Sequence, residues 1–156
     1  MAFDYNKAGI ILVAAIVVPF IGTADTPGRH PHYIRARSDL RAAQRFLRVR
    51  EEPNVTRNLH AADIEVEAAI QEIDNAAVID RKDLMERAPI DTSLDRPGRF
   101  RKVMALLSSA REDLSREEDN PRARGWRAAA YRHIDAAMDF MRRASRDARI
   151  DHRMGY

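Results

Sequence analysis

Cysteine is absent from this chain of 156 residues. Its absence excludes disulfide bonds, thiolate metal sites, covalent haem attachment through a C-x-x-C-H motif and cysteine catalysis. Aromatic residues are few (5 Phe, 4 Tyr and 1 Trp), glycine occurs only 6 times, and no long alternation of β-branched and polar residues is present. Ala and Arg, two strong helix formers, are the most frequent residues instead, so the composition predicts an all-α protein that is stabilised by packing.

A large excess of one charge is also missing, because 27 basic residues stand against 24 acidic residues and the net charge is only +3. The two signs alternate within stretches such as residues 111–113 and 142–147, which is typical of solvated helix faces with ion pairs three and four residues apart. A nucleic-acid-binding domain would concentrate basic charge on one face. We therefore expect no nucleic acid among the partners.

The N-terminal region consists of seven residues that end in Lys7, followed by an uncharged apolar run at residues 8–21. The run is shorter than the ~20 residues that span a membrane comfortably, and it suits the apolar region of a signal peptide. Small residues at 22–24 form a cleavage site before Asp25. Residues 1–24 are therefore predicted to be a signal peptide or a retained membrane anchor, and residues 25–30 a linker. A buried N-terminal helix of a cytoplasmic protein is disfavoured because the run is apolar all round.

Four segments after this linker place apolar or small side chains at steps of three and four residues, the spacing of one face of an α-helix. The four stripes are Tyr33, Ala36, Leu40, Ala43 and Leu47; Val55, Leu59, Ala62, Val66, Ala69, Ile73 and Ala76; Phe100, Val103, Leu107, Ala110 and Leu114; and Trp126, Ala130, His133, Ala137, Phe140 and Ala144. Prolines and capping residues limit them. The helices are predicted at about 31–50, 54–80 (or on to 88), 98–118 and 121–148.

Four such helices with mostly short connections predict an antiparallel up-down-up-down four-helix bundle over residues 31–148, preceded by the N-terminal hydrophobic segment. Residues 149–156 are expected to form a frayed tail. Small residues alternate with large ones along each stripe, which favours closely packed layers over a wide internal cavity.

His133 is the one polar residue within a predicted core stripe, and a buried polar group without a partner costs about 1–3 kcal/mol. In an up-down-up-down bundle, counting layers from the helix ends places His133 level with Asp39 on the first helix, or with Glu67 or Asp63 on the second. A carboxylate at that level would accept a hydrogen bond from the ring. The buried pair would either fix the register of the helices or contribute to a ligand site.

Two further histidines, His30 and His32, lie close together after the linker, and such a pair can contribute to a copper or zinc site. In the predicted bundle, Asp147 and His152 near the end of the fourth helix would face them. A di-iron site is rejected because the chain lacks the required Glu-x-x-His pairs. No cofactor is predicted; the alternative is a transition metal, or haem with His133 or a methionine as axial ligand.

Four short elements stand out in the chain: His30-Pro31-His32-Tyr33, Ser38-Asp39-Leu40-Arg41-Ala42-Ala43, Glu117-Glu118-Asp119-Asn120 and His133-Ile134-Asp135-Ala136-Ala137. Together they resemble a family of uncharacterised exported helical-bundle proteins from environmental bacteria, over roughly residues 30–145. The resemblance implies a helical bundle in which the first and last of these elements belong together. It implies no activity.

The sequence contains no G-x-S-x-G motif, glycine-rich phosphate loop or H-E-x-x-H motif, so we expect no enzyme. The expected function is a non-enzymatic interaction or structural module of the cell envelope, periplasmic or anchored to the outer side of the bacterial inner membrane. Other envelope proteins are the expected partners, residues 8–21 could contact the membrane, and self-association is compatible with the pattern. The alternative is a four-helix bundle that binds a metal, haem or small ligand through His133, or through His30 and His32.

Overall fold

The computed structural model describes residues 31–79, 95–117 and 121–155. Within these ranges it contains no strand and four α-helices: α1 (Pro31–Leu47), α2 (Pro53–Ile79), α3 (Arg96–Arg116) and α4 (Arg124–Met154). The prediction of an all-α chain with four helices is therefore confirmed for the described ranges. The apolar run at residues 8–21 lies outside them, and no helix within them is both long enough and apolar enough to cross a membrane.

Local signals explain where α3 begins. The side chain of Asp95 accepts a hydrogen bond from the N–H of Gly98 (2.8 Å), which satisfies one of the backbone donors that a helix start leaves unpaired. Pro97 follows in the first turn, where its missing N–H does no harm.

The boundaries of α4 differ from those predicted. The helix begins at Arg124, three positions later than the predicted start at residue 121, and continues to Met154, beyond the predicted end at residue 148. Gly155 adopts a left-handed conformation with a φ of 84° and its N–H bonds to the carbonyl of Asp151, which ends the helix. Residues 149–154, expected to be frayed, are therefore helical.

Hydrogen bonds between side chains fix the direction of α2 relative to α1. Gln44 Nε2 donates to Glu67 Oε2 (2.7 Å), and one turn later Arg48 Nε donates to Asp63 Oδ2 (3.1 Å). Because a later position in α1 meets an earlier position in α2, the two helices are antiparallel.

α4 also packs against α2 and is antiparallel to it. Asn54, in the first turn of α2, donates to Asp151 near the end of α4 (3.1 Å), and Asn58 donates to Asp147 one turn earlier in α4 (2.8 Å). The start of α2 therefore lies beside the end of α4.

α3 completes the bundle between α1 and α4. The backbone N–H of Tyr33 at the start of α1 donates to Glu117 Oε2 at the end of α3 (3.2 Å), so α3 is antiparallel to α1. Arg111 Nε in the second half of α3 donates to Asp135 Oδ1 in the first half of α4 (2.8 Å), so α3 is also antiparallel to α4.

These directions give an up-down-down-up order, and the predicted up-down-up-down order is wrong. α2 and α3 run the same way and lie on a diagonal of the bundle, so Ile79 and Arg96 are at opposite ends. The prediction assumed a short hairpin between these two helices. Helical periodicity shows which face is apolar and carries no information about the direction of the next helix, so the error was not visible in the stripes.

The core confirms three of the four predicted stripes, because every stripe residue of α1, α2 and α3 is buried. The core face of α4 agrees with the predicted stripe at Ala130, Ala137 and Ala144 and differs from it by one position in between. Its buried residues are Ala129, Ala130, Ile134, Ala137, Met141, Ala144 and Ala148. Trp126 is 38% exposed, and His133 and Phe140 lie at the edges of the apolar face. The predicted stripe and the observed core face both satisfy the three-four spacing. The observed face places Ile134 and Met141 in the core instead of His133 and Phe140, and burial of these aliphatic side chains removes apolar surface from water without burying an imidazole.

Candidate functional site

His133 does not lie in the interior. Its Nδ1 is 2.7 Å from Oε2 of Glu65 on α2, and the two side chains are 34% and 28% exposed. The fully buried residue at this level of α4 is its neighbour Ile134. The pair therefore bridges α2 and α4 at the rim of their interface, where both side chains are in contact with water.

The carboxylates predicted to meet His133 have other partners. Glu67 accepts a hydrogen bond from Gln44, and Asp63 accepts one from Arg48. Asp39 faces α3, where burial is the main cause that raises its pKa; a hydrogen bond with Ser109 opposes this rise. The layer count failed because α4 begins beside the start of α1, whereas the count placed it beside the end of α1.

The predicted histidine pair can be followed only in part, because His30 lies outside the described residues. His32 is in the first turn of α1, and its Nδ1 lies 3.1 Å from Oδ1 of Asp113 and 3.1 Å from Nη2 of Arg35. In the tautomer with a proton on Nδ1 the ring donates to Asp113. Within the described part of the chain, no three His, Asp or Glu side chains gather as a metal site would require.

Among the described residues of the expected composite site, Asp147 and His152 do not meet His32. Asp147 accepts a hydrogen bond from Asn58 near the start of α2, and His152 lies one turn further along α4. Both are therefore at the end of the bundle opposite His32.

Glu117 makes a buried contact that the sequence reasoning missed. Its side chain is almost fully buried, with 2% of the residue exposed, and it accepts the N–H of Tyr33. Its backbone carbonyl accepts a hydrogen bond from Arg127 in the first turn of α4. The residue after α3 thus caps α1 and holds the start of α4, a structural role that joins three helices at one end.

The opposite end contains a concave surface, which we call the basic groove. It lies between the first half of α3 and the last turns of α4 and has a volume of about 750 Å³. The α3 side consists of Arg96, Pro97, Phe100, Arg101 and Met104. The α4 side consists of Ser145, Ala148, Arg149, His152 and Arg153.

The floor of the basic groove is apolar. Phe100 and Met104 approach it from α3, where Phe100 is largely buried in the core and Met104 packs against the core. Ser145 and Ala148 face them from α4, and these short side chains leave space between the two helices. The groove therefore exists because α4 carries small residues where it passes the start of α3.

The rim of the basic groove is positive. Arg101, Arg149 and Arg153 are exposed, and none of them has an ion pair or hydrogen bond with another residue in the ranges 31–79, 95–117 and 121–155. By contrast, Arg142 on the same helix is paired with Asp139 (2.5 Å). A guanidinium presents a planar set of donors that matches carboxylate or phosphate oxygens.

Arg96 is the one rim arginine that is already neutralised. Its guanidinium lies 2.6 Å from Glu52 and 2.5 Å from Glu51, both in the connection between α1 and α2. The hydrogen bond with Glu52 raises the pKa of Arg96 and lowers the pKa of Glu52. This pairing holds the start of α3, and Arg101, Arg149 and Arg153 remain as the rim arginines with no ion pair among the described residues.

Comparison of the chain with protein-family models, with curated proteins and with solved structures found no match. The candidate site therefore rests on its own geometry.

The sequence carries a signal for the groove that extends into the predicted tail at residues 149–156. Ser145, Arg149 and Arg153 follow one another at intervals of four, which places them along one edge of a continuous helix. The signal was lost because the helix was ended at residue 148. The contribution of Arg101 from α3 could be identified only after the direction of α3 was known.

Proposed function

We propose that this chain is a non-enzymatic helical module of the cell envelope, exported or membrane-tethered, which binds a partner molecule in the basic groove. The observation that carries the proposal is an apolar floor together with the exposed guanidinium groups of Arg101, Arg149 and Arg153, which no acidic side chain of the described residues neutralises. Binding sites for other molecules are typically concave and apolar with a few oriented polar groups. A cleft lined by charges of one sign raises the local concentration of ions of the opposite sign, which favours an anion here.

The placement in the envelope rests on the N-terminal sequence. The uncharged run at residues 8–21 and the small residues at 22–24 have the pattern of a signal peptide or anchor. The bundle would then act outside the inner membrane as an accessory or structural subunit, with other envelope proteins or a second copy of the chain as neighbours.

The alternative function is binding of a metal ion, haem or small ligand. The basic groove favours binding of a small ligand within this alternative. The histidine that lines the groove is His152, whereas the alternative was based on His133, or on His30 and His32. Its metal form has less support, because structural and catalytic zinc sites use three or four protein ligands and the described histidines each meet at most one carboxylate.

The test is purification of the chain from its native envelope, with intact mass to detect cleavage before Asp25. The double variant Arg149→Glu/Arg153→Glu is compared with Arg132→Glu, an exposed arginine of α4 that lies roughly 25 Å from residue 149 along the helix. We expect the chain in the envelope fraction, with a bound component that the groove variant loses and the control retains.

Two results would contradict the proposal. The first is recovery of the uncleaved chain entirely from the cytosol. The second is a bound component that is retained equally by the groove variant and by the Arg132→Glu control.

A further inference from the structure

The size of the basic groove limits what it can hold. The lining residues 96–104 and 145–153 each rise roughly 12 Å along their helices. A stable protein interface buries on the order of 800 Å² of each partner, which is more than two helix segments of this length provide. A volume of about 750 Å³ lies within the range of small-molecule sites, which is about 300–1,000 Å³. The dimensions therefore favour a small molecule over a protein.

The chemistry of the groove indicates the two parts of that molecule. The floor offers Phe100, Met104 and Ala148, which interact favourably with an aliphatic chain because burial removes apolar surface from water. The rim offers Arg101 from one side and Arg149 and Arg153 from the other, so a negative group at the mouth of the groove would lie between guanidinium groups of two helices.

We infer that the basic groove binds the free monomer of a single-chain anionic amphiphile, of the fatty-acid class, with its chain on the apolar floor and its carboxylate among the rim arginines. This inference rests on the proposed function in that the groove is taken as the binding surface. It adds the chemical class of the ligand and the role of each side of the groove.

Isothermal titration calorimetry on the full chain tests the charge requirement. Dodecanoate is compared, below its micelle concentration, with dodecyltrimethylammonium, which has the same chain and a cationic head, and with acetate, which has the head alone. We expect dodecanoate to bind at least about tenfold more tightly than either, since a charge-assisted pair with arginine adds to the burial of the chain. Raising the salt concentration should weaken the binding.

Two variants test the two parts of the groove. Arg149→Gln/Arg153→Gln removes rim charge from exposed positions and should weaken dodecanoate binding about fivefold or more, whereas Arg132→Gln should leave it unchanged. Ser145→Phe fills the floor from a half-buried position outside the core and should also weaken dodecanoate binding. Circular dichroism melting of each variant establishes that the bundle is intact.

The inference is overturned if the cationic amphiphile binds as tightly as dodecanoate, if the double arginine variant binds like the wild type, or if no amphiphile binds. Binding to anionic vesicles without binding to the monomer would also overturn it, since the site would then be a membrane contact. In each of these cases, a native bound component that depends on Arg149 and Arg153 would leave the proposed function standing, so the two failures are distinguishable.

Discussion

Replacing Ile134 and His133 separately by alanine measures which of these neighbours belongs to the core. Ile134 is fully buried between α4 and the rest of the bundle, whereas the side chain of His133 is 34% exposed. Ile134→Ala removes three carbon atoms, worth about 0.8 kcal/mol each in transfer free energy, and leaves a cavity. We expect a loss of about 3 kcal/mol in the free energy of unfolding.

His133→Ala should have a much smaller effect. It removes a pair with Glu65 in which both side chains remain partly exposed, and such pairs contribute about 0–1 kcal/mol. The histidine leaves no cavity in the core because Ile134 occupies the interior position.

Urea unfolding followed by circular dichroism provides the measurement. The midpoint for Ile134→Ala should fall by about 1–3 M, given a typical slope of about 1–3 kcal/mol per molar urea, with the slope itself unchanged. The reasoning is refuted if His133→Ala is destabilised as strongly as Ile134→Ala, or if Ile134→Ala loses less than about 1 kcal/mol. Either result would mean that α4 is rotated relative to this structure.

Two further predictions concern carboxylates at helix contacts, the half-buried Asp39 and the buried Glu117. Burial raises the pKa of Asp39, so the folded state resists its ionisation, and stability is lost as the pH rises from the ordinary carboxyl pKa through the raised one. Asp39→Asn should therefore raise the melting temperature at pH 7, and the gain should vanish near pH 3, where the carboxyl is protonated in both states. Asp139→Asn, on an exposed face, is the matched control and should show no such pH-dependent gain. Glu117→Ala removes the acceptor of the Tyr33 N–H and should lower the free energy of unfolding by about 1–3 kcal/mol in urea unfolding. Glu117→Gln keeps an acceptor oxygen and should cost less stability. Equal losses for the two variants would contradict the capping role of Glu117.

The helices themselves could be predicted from the sequence because each is a local pattern. The stripe from Val55 to Ala76 keeps its three-four spacing throughout, and every member is buried. The predicted stripe of α4 differs from the buried face by one position at His133 and Phe140. The alanines of this helix fit both alignments, and packing in the bundle selects Ile134 over His133.

The candidate site could not be predicted in the same way because it combines residues from distant parts of the chain. Asp39 and His133 were placed at one level by assuming that each connection is a hairpin, and that assumption failed between α2 and α3. The groove brings Arg101 near Arg149 and Arg153 only because α3 begins where α4 ends.

The sequence by itself determined that this protein is helical, where its four helices lie and which faces of the first three are buried, because periodicity and end signals act over a few residues. The tertiary structure alone decided the up-down-down-up order, the pairing of His133 with Glu65 and the position of the basic groove. The physical reason is that an apolar stripe requires a partner surface but does not specify the direction of the helix that supplies it. That choice is made by packing and by interhelical pairs such as Tyr33 with Glu117 and Asn54 with Asp151.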